Sequence, residues 1–107
     1  MKRFLLLLAA VLVFSHAAMA AGGAKINGWI SDSMCGAKHM GDNPDCVRKC
    51  IKEMNAKPVF VDEAKKSVWA IDNPDAVKNF YGDKVTITAT LDAAKKSVHI
   101  EAITAGK

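Results

Sequence analysis

Three cysteines and one histidine are the residues of this chain best suited to chemistry, and all four fall within residues 31–57. Three residues separate Cys35 from His39, and three also separate Cys46 from Cys50. Residues four apart lie on one face of a helix, so two short helices would aim two such pairs at a common centre. Thiolates and imidazole suit zinc, and thiolates also suit copper(I). The spacing therefore predicts a zinc or copper site made of these four side chains.

A disulfide is the alternative use of the same residues. On a regular helix the Cβ atoms of Cys46 and Cys50 lie roughly 6 Å apart, whereas a disulfide needs about 3.8 Å. A bridge would therefore run from Cys35 to Cys46 or to Cys50, and it would contribute on the order of 3 kcal/mol. Three cysteines cannot all pair within one chain, so one remains as a free thiol, a metal ligand or a link to a second chain.

These chemistries lead to three functional interpretations. The first is a non-enzymatic binding module whose cysteine segment holds a soft metal ion or is locked by one disulfide. The second is a thiol redox or metal-handling enzyme, in which the start of a helix lowers the pKa of Cys46, although the chain has no Cys-x-x-Cys motif. The third is a structural or interaction protein, otherwise monomeric, whose spare cysteine forms a covalent dimer. Three methionines near the cysteines could add thioether ligands for copper, although packing is their more common role: Met34, Met40 and Met54.

The first twenty residues have the pattern of a secretory signal peptide. Lys2 and Arg3 form a basic start, residues 4–14 are apolar, and residues 18–20 read Ala-Met-Ala. The apolar run is short for a membrane span. We therefore expect a periplasmic or secreted protein that begins near Ala21, has no membrane span once the leader is removed, and folds as one domain over residues 21–107. Export also permits a disulfide.

The charge balance excludes some partners. Two of the fifteen basic residues, Lys2 and Arg3, belong to the expected leader, and the rest are interspersed with eleven acidic ones. A basic patch of the kind that binds nucleic acid or anionic lipid is therefore not expected.

Alternating apolar residues and turn signals predict five strands. Their expected ranges are 25–31, 59–62, 67–72, 84–91 and 97–103. On the fourth strand Val85, Ile87, Ala89 and Leu91 should face inward. On the fifth strand Val98, Ile100 and Ala102 should face inward, whereas His99 should be exposed.

Cap signals predict the helical parts. Asp32 or Ser33 can begin a short helix toward Met40, and Asn43-Pro44 can begin a second that runs to about Asn55. The repeated Asn73-Pro74 pair predicts a helix that ends at Gly82. Residues 62–68 and 92–98 are nearly the same connector, so both should form hairpin turns with the same chemistry.

This order of elements predicts a mainly β (α+β) fold. We expect a small five-stranded OB-like barrel with the cysteine-bearing helical insertion, residues 31–57, between strands 1 and 2, and a helix between strands 3 and 4. A five-stranded α+β sheet is the main competitor. Because the connection between strands 1 and 2 of OB barrels commonly binds ligands, the cysteines would lie in a suitable place for binding.

The cysteine segment also resembles a group of short exported bacterial proteins of uncharacterised function. Their motif reads Gly-x-Ile-Ser-Asp-Ser-x-Cys-Gly, followed by a histidine and a Cys-x3-Cys pair. Here it corresponds to Gly28–Gly36, His39, Cys46 and Cys50. The resemblance implies an exported small β domain and carries no activity with it.

Overall fold

The computed structural model describes residues 23–39 and 43–106, with the side chain of His39 excepted. Five strands form one mixed sheet that closes on itself in the order β1-β2-β3-β5-β4. All neighbouring pairs are antiparallel except β3 and β5, which are parallel. The strands are β1 (Ala24–Asp32), β2 (Pro58–Asp62), β3 (Val68–Ile71), β4 (Lys84–Asp92) and β5 (Ser97–Ala105). The expected five strands and mainly β character are confirmed.

The cysteine segment forms the expected helical insertion between β1 and β2. It contains a 3-10 helix at Gly36–His39 and the α-helix α1 at Pro44–Glu53. The stretch 1–22, which holds the predicted signal peptide, and Met40 lie outside the described residues. In the described part of the chain, no helix has the length and apolar character needed to span a bilayer.

The core lies inside the closed sheet and follows the predicted alternation over most of its length. Its buried apolar members come from all five strands and from the connection before β4: Ile30, Phe60, Ile71, Val77, Val85, Ile87, Ala89, Val98 and Ile100. Trp69, Phe80 and Tyr81 pack against this cluster from half-buried positions. The insertion is therefore attached to a sheet that has its own core.

The two similar connectors fold alike, as predicted. The Asp62 carboxylate accepts hydrogen bonds from the backbone N–H groups of Ala64 and Lys65, and the Asp92 carboxylate accepts one from Lys95. The lysine before each following strand has a positive φ, 55° at Lys66 and 53° at Lys96. Left-handed backbone is unfavourable for residues other than glycine, so the two hairpins share the same local strain.

This strain predicts a stabilising substitution. Lys66→Gly should increase the free energy of unfolding by up to about 1 kcal/mol, because glycine adopts a positive φ without a steric penalty. Urea unfolding followed by tryptophan fluorescence measures the change. Lys65→Gly is the matched control, since Lys65 is not among the residues with positive φ, and it should not stabilise the protein. Equal effects of the two substitutions would contradict the explanation.

A β-bulge in β5 explains one error in the predicted core. Ile100 pairs with Ala89 and Ala102 pairs with Thr88, so Glu101 has no partner across the strands. An extra residue inverts the alternation beyond it. Ala102 is therefore exposed and Ile103 packs inward instead. The prediction for Leu91 was also wrong, because this residue next to the β4–β5 turn is 42% exposed.

The helix predicted from Asn73 to Gly82 is much shorter in the structure. Only Pro74–Val77 is helical, as a 3-10 helix. The Asn73 side chain does not cap it. Its amide nitrogen instead donates to the Ile100 carbonyl (2.7 Å) and its oxygen accepts from the Ile100 N–H (2.9 Å). Asn73 thus ties this connection to β5, and a local sequence pattern does not reveal that use.

The connection before β4 holds the start of α1 against β1. Gly82 donates its N–H to the Ile30 carbonyl (2.7 Å), and Ile30 donates to the Asp83 carbonyl (3.1 Å). Gly82 has a φ of 82°, and a Cβ there would lie 2.6 Å from the Cα of Pro44. The Arg48 guanidinium of α1 also contacts the Asp83 carboxylate at 3.3 Å. These contacts fix the helix that carries two of the cysteines.

Candidate metal centre

The three cysteines converge, although they lie on different elements. Cys35 is in the turn after β1, whereas Cys46 and Cys50 lie one turn apart on α1. Their three sulfur atoms are all within 4.8 Å of one another. The Cys46 and Cys50 sulfurs are 4.1 Å apart and not bonded. We call this group the cysteine cluster, and it confirms the predicted convergence of the three thiols.

The predicted disulfide from Cys35 to Cys46 or Cys50 is not formed. All three cysteines are free thiols, with Cys35 and Cys46 half-buried and Cys50 buried. Their mutual distances are short enough for one ion to bridge all three sulfurs. The arrangement is therefore compatible with metal binding.

His39, the fourth predicted ligand, is only partly described. Its backbone ends the 3-10 helix Gly36–His39 that follows Cys35. Its side chain lies outside the described residues. The part of the prediction that concerns imidazole ligation therefore stays a prediction.

Asp32 determines the path of the chain at Cys35. This residue at the end of β1 is fully buried. Its Oδ1 accepts hydrogen bonds from the backbone N–H groups of Met34 and Cys35, both at 2.9 Å. Asp32 thus closes the turn at residues 33–35 and sets the direction in which Cys35 leaves the strand, but it does not cap the 3-10 helix, which begins only at Gly36. Next to it, the Ser31 hydroxyl donates to the Gly36 carbonyl at 2.7 Å and closes the turn.

The start of α1 also follows the predicted signals. Asn43 accepts a hydrogen bond from the Cys46 N–H at 3.2 Å, and Pro44 occupies the first helical turn. Val47 and Cys50 form the buried face of the helix. Cys46 is therefore held in the first turn of a capped helix, with its sulfur toward Cys35.

The end of α1 returns the chain to the sheet. Helical structure stops at Glu53, and Asn55 has a positive φ of 57°, which is a common way for a helix to end. Ser33 and Lys57 then join the two ends of the insertion. The Ser33 N–H donates to the Lys57 carbonyl (2.8 Å), and the Lys57 N–H donates to the Ser33 hydroxyl (2.9 Å). The insertion is thus closed at its base, which limits how far the cysteines can separate.

Electrostatics in the cysteine cluster favour protonated thiols. Burial and the Asp32 carboxylate raise the pKa of Cys50 from 9.0 to about 11, with smaller contributions from the other two cysteines. Burial and Asp32 also raise the pKa of Cys35. Both thiols are therefore poor nucleophiles without a cation, because the reactive form of cysteine is the thiolate.

The raised pKa of Cys50 predicts a loss of stability at alkaline pH. The folded-state value lies above the usual 9.0, so the stabilisation is fully present below pH 9 and is lost as the pH rises through about 11. With a chelator and a reductant present, the urea midpoint of the wild type should fall more steeply over this range than that of Cys50→Ala. The difference between the two proteins isolates Cys50 from the other ionisable groups, which both proteins share. Parallel curves would contradict the prediction.

The two methionines near the cluster in the described part of the chain are exposed. Met34 is 57% exposed and Met54 is 56% exposed. Met54 caps the end of α1 through its backbone N–H, which donates to the Cys50 carbonyl.

A second polar cluster lies elsewhere on the sheet. His99 is exposed, as predicted, and its Nδ1 lies 2.7 Å from the Asp72 carboxylate. Together they border a shallow cleft of about 300 Å³, along with Thr90, Asp92 and Ser97. Both members of the pair are more than half exposed. The Asp72 carboxylate, just after β3, therefore contacts β5 through His99.

Comparison with known proteins yields no relative: no family model, curated protein or solved structure matches the chain. The function must therefore be argued from the cysteine cluster itself.

Proposed function

We propose that this protein is an exported, non-enzymatic binding module of OB-like fold that holds one soft metal ion, zinc or copper, through Cys35, Cys46 and Cys50. His39 is the proposed fourth ligand. The observation that carries the proposal is the mutual approach of the three sulfur atoms to within 4.8 Å.

The chemistry of the donors supports a soft ion. Three thiols form the ligand set, and thiolates favour zinc and copper(I) over hard cations such as magnesium or calcium. Zinc–thiolate bonds are about 2.3 Å long, so sulfurs bound to one ion lie roughly 3.8 Å apart in tetrahedral geometry. The Cys46–Cys50 distance of 4.1 Å is near this value, and only a small movement would be needed.

The scaffold supports a holding role for the site. The insertion is closed at its base by Ser33 and Lys57 and is packed against β1 through Val47 and Cys50. A five-stranded sheet that closes on itself, with a ligand site in the connection after its first strand, is compatible with an OB fold. The leader-like residues 1–20 and the resemblance to short exported proteins support export.

The thiol electrostatics favour this function over the redox enzyme. A thiol oxidoreductase that attacks through Cys46 would need Cys35 or Cys50 as its partner thiol, and burial and Asp32 raise the pKa of both, which makes them poor leaving groups in thiol–disulfide exchange. A metal ion overcomes this cost because binding replaces the thiol protons. The raised values thus suit a site whose thiolates form only with the ion.

The full-length protein, purified from the periplasm of an expressing bacterium without added metal, tests the proposal. We expect one zinc or copper ion per chain by elemental analysis. After removal of the ion under denaturing conditions, we expect three titratable thiols. A metal-free protein with a single titratable thiol would contradict the proposal and support the disulfide-locked module. A metal-free covalent dimer on non-reducing gels would contradict it in favour of the interaction protein.

A further inference from the structure

Asp32 is an unusual neighbour for a cluster of thiols. The residue is fully buried, yet only one of its two oxygens is satisfied. Oδ1 accepts two backbone hydrogen bonds, whereas Oδ2 has no hydrogen-bond partner among the described residues. A buried carboxylate without full compensation is costly. Capping the turn needs only one oxygen, so capping alone does not explain the negative charge.

This charge acts on the cysteine cluster. Asp32 is held against the cluster through Cys35, whose sulfur lies within 4.8 Å of the other two. Its Oδ1 is bonded to the backbone of Cys35 itself. The Asp32 carboxylate therefore lies beside the cluster in which an ion shared by the three sulfurs would be held.

We propose that Asp32 is an ion-selecting residue of the cysteine cluster, which disfavours copper(I) relative to divalent zinc. This inference rests on the proposed function, since it concerns the ion that the same site takes. It adds that the discrimination between zinc and copper(I) depends on one buried carboxylate.

The preference for zinc follows from the net charge of each complex. Binding replaces one proton on each of the three cysteines. Three thiolates with copper(I) carry a net charge of −2, whereas three thiolates with zinc(II) carry −1. A neutral fourth ligand such as an imidazole or water changes neither value. A nearby carboxylate therefore repels the copper(I) complex by about twice as much as the zinc complex, and burial strengthens the difference.

The selection is useful because thiolates alone do not provide it. In a soft ligand set copper competes strongly with zinc, and proteins achieve selectivity through ligand type and geometry more than through raw affinity. Asp32 adds a term that depends on the charge of the ion, while its Oδ1 keeps Cys35 in position. Asp32 would thus both hold Cys35 in position and favour zinc over copper(I).

Asp32→Asn in the full-length protein tests the proposal, because asparagine retains an acceptor for the Met34 and Cys35 N–H groups and removes the charge. Zinc and copper(I) dissociation constants are measured anaerobically by competition with chromophoric chelators. We expect the ratio of copper(I) affinity to zinc affinity to rise by about tenfold or more. An unchanged ratio would overturn the proposal.

Asp62→Asn is the matched control. Asp62 makes the same contacts, to N–H groups two and three residues ahead. It lies at the opposite end of β2 from Pro58, the residue that pairs with Asp32. The substitution should leave the ratio unchanged, and an equal rise in this variant would overturn the proposal.

A second variant separates the charge from other effects. Asp32→Ser also removes the charge and can accept from the N–H two residues ahead, but it introduces no amide donor that could contact a thiolate. The ratio should rise in this variant too, and it serves alone if Asp32→Asn does not fold. If the wild type binds neither zinc nor copper(I), the proposed function is contradicted together with the role of Asp32. A wild type that binds both, with equal ratios in all variants, would remove only the role of Asp32.

Discussion

Replacing Cys46 by serine is expected to weaken zinc binding by at least about a hundredfold. Thiolate-rich structural zinc sites bind with roughly 10–16 kcal/mol, so the loss of one of three thiolates should remove several kcal/mol. Cys46 is the most informative of the three because it is only half-buried. Its replacement therefore disturbs the core less than replacement of the buried Cys50. Competition with a chromophoric chelator measures the dissociation constant.

The control for this prediction is His99→Ala. His99 is a metal-binding residue type that lies beside Asp72, outside the cysteine cluster. Its removal should leave zinc affinity within about twofold of the wild type, a difference well below 1 kcal/mol. The account would be contradicted if Cys46→Ser bound zinc as well as His99→Ala, since the ion would then be held by residues other than the three thiols.

The second large effect is expected from Gly28→Ala in β1. A Cβ at this position would clash with the Val61 carbonyl oxygen and lie 2.6 Å from the Phe60 ring. Phe60 is fully buried, so it has no free space to move into. Overpacking against buried groups costs about 1–3 kcal/mol and sometimes more, and a backbone clash places this substitution at the upper end. We expect the free energy of unfolding to fall by about 3 kcal/mol or more.

Ala102→Gly is the comparison for this stability measurement. It exchanges the same two residue types at an exposed strand position, where the expected loss is no more than about 1 kcal/mol. Both variants are unfolded in urea, with chelator present so that metal binding does not contribute. A loss in Gly28→Ala no larger than that in Ala102→Gly would show that β1 and β2 are not packed as closely as described.

The sequence contains enough local information to predict the five strands and the helical insertion. Alternation, proline positions and asparagine caps act within a few residues of each element, and the structure follows them at Pro44 and Asn43. The wrong predictions concern features that depend on contacts between residues far apart in the sequence. The bulge at Glu101 depends on pairing with β4, and Asn73 bonds to Ile100 across the sheet. No local pattern encodes either contact.

The sequence predicts that the three cysteines converge, but it does not predict that the Asp32 carboxylate is buried beside them. Helical spacing placed Cys46 and Cys50 on one face, and the structure brings Cys35 to them. Asp32 was expected only as a cap. That expectation could not show that the whole residue is buried beside the cysteine cluster, because burial depends on how α1 packs against β1. An acidic residue three positions before a cysteine is the only signal the sequence offers.

X-ray absorption at the zinc edge is the most direct test of whether the three cysteines bind the ion. It counts the sulfur atoms bound to zinc in the zinc-loaded full-length protein. The account predicts three sulfur ligands at about 2.3 Å, and two in Cys46→Ser. A shell made only of oxygen and nitrogen atoms in the wild type would contradict it.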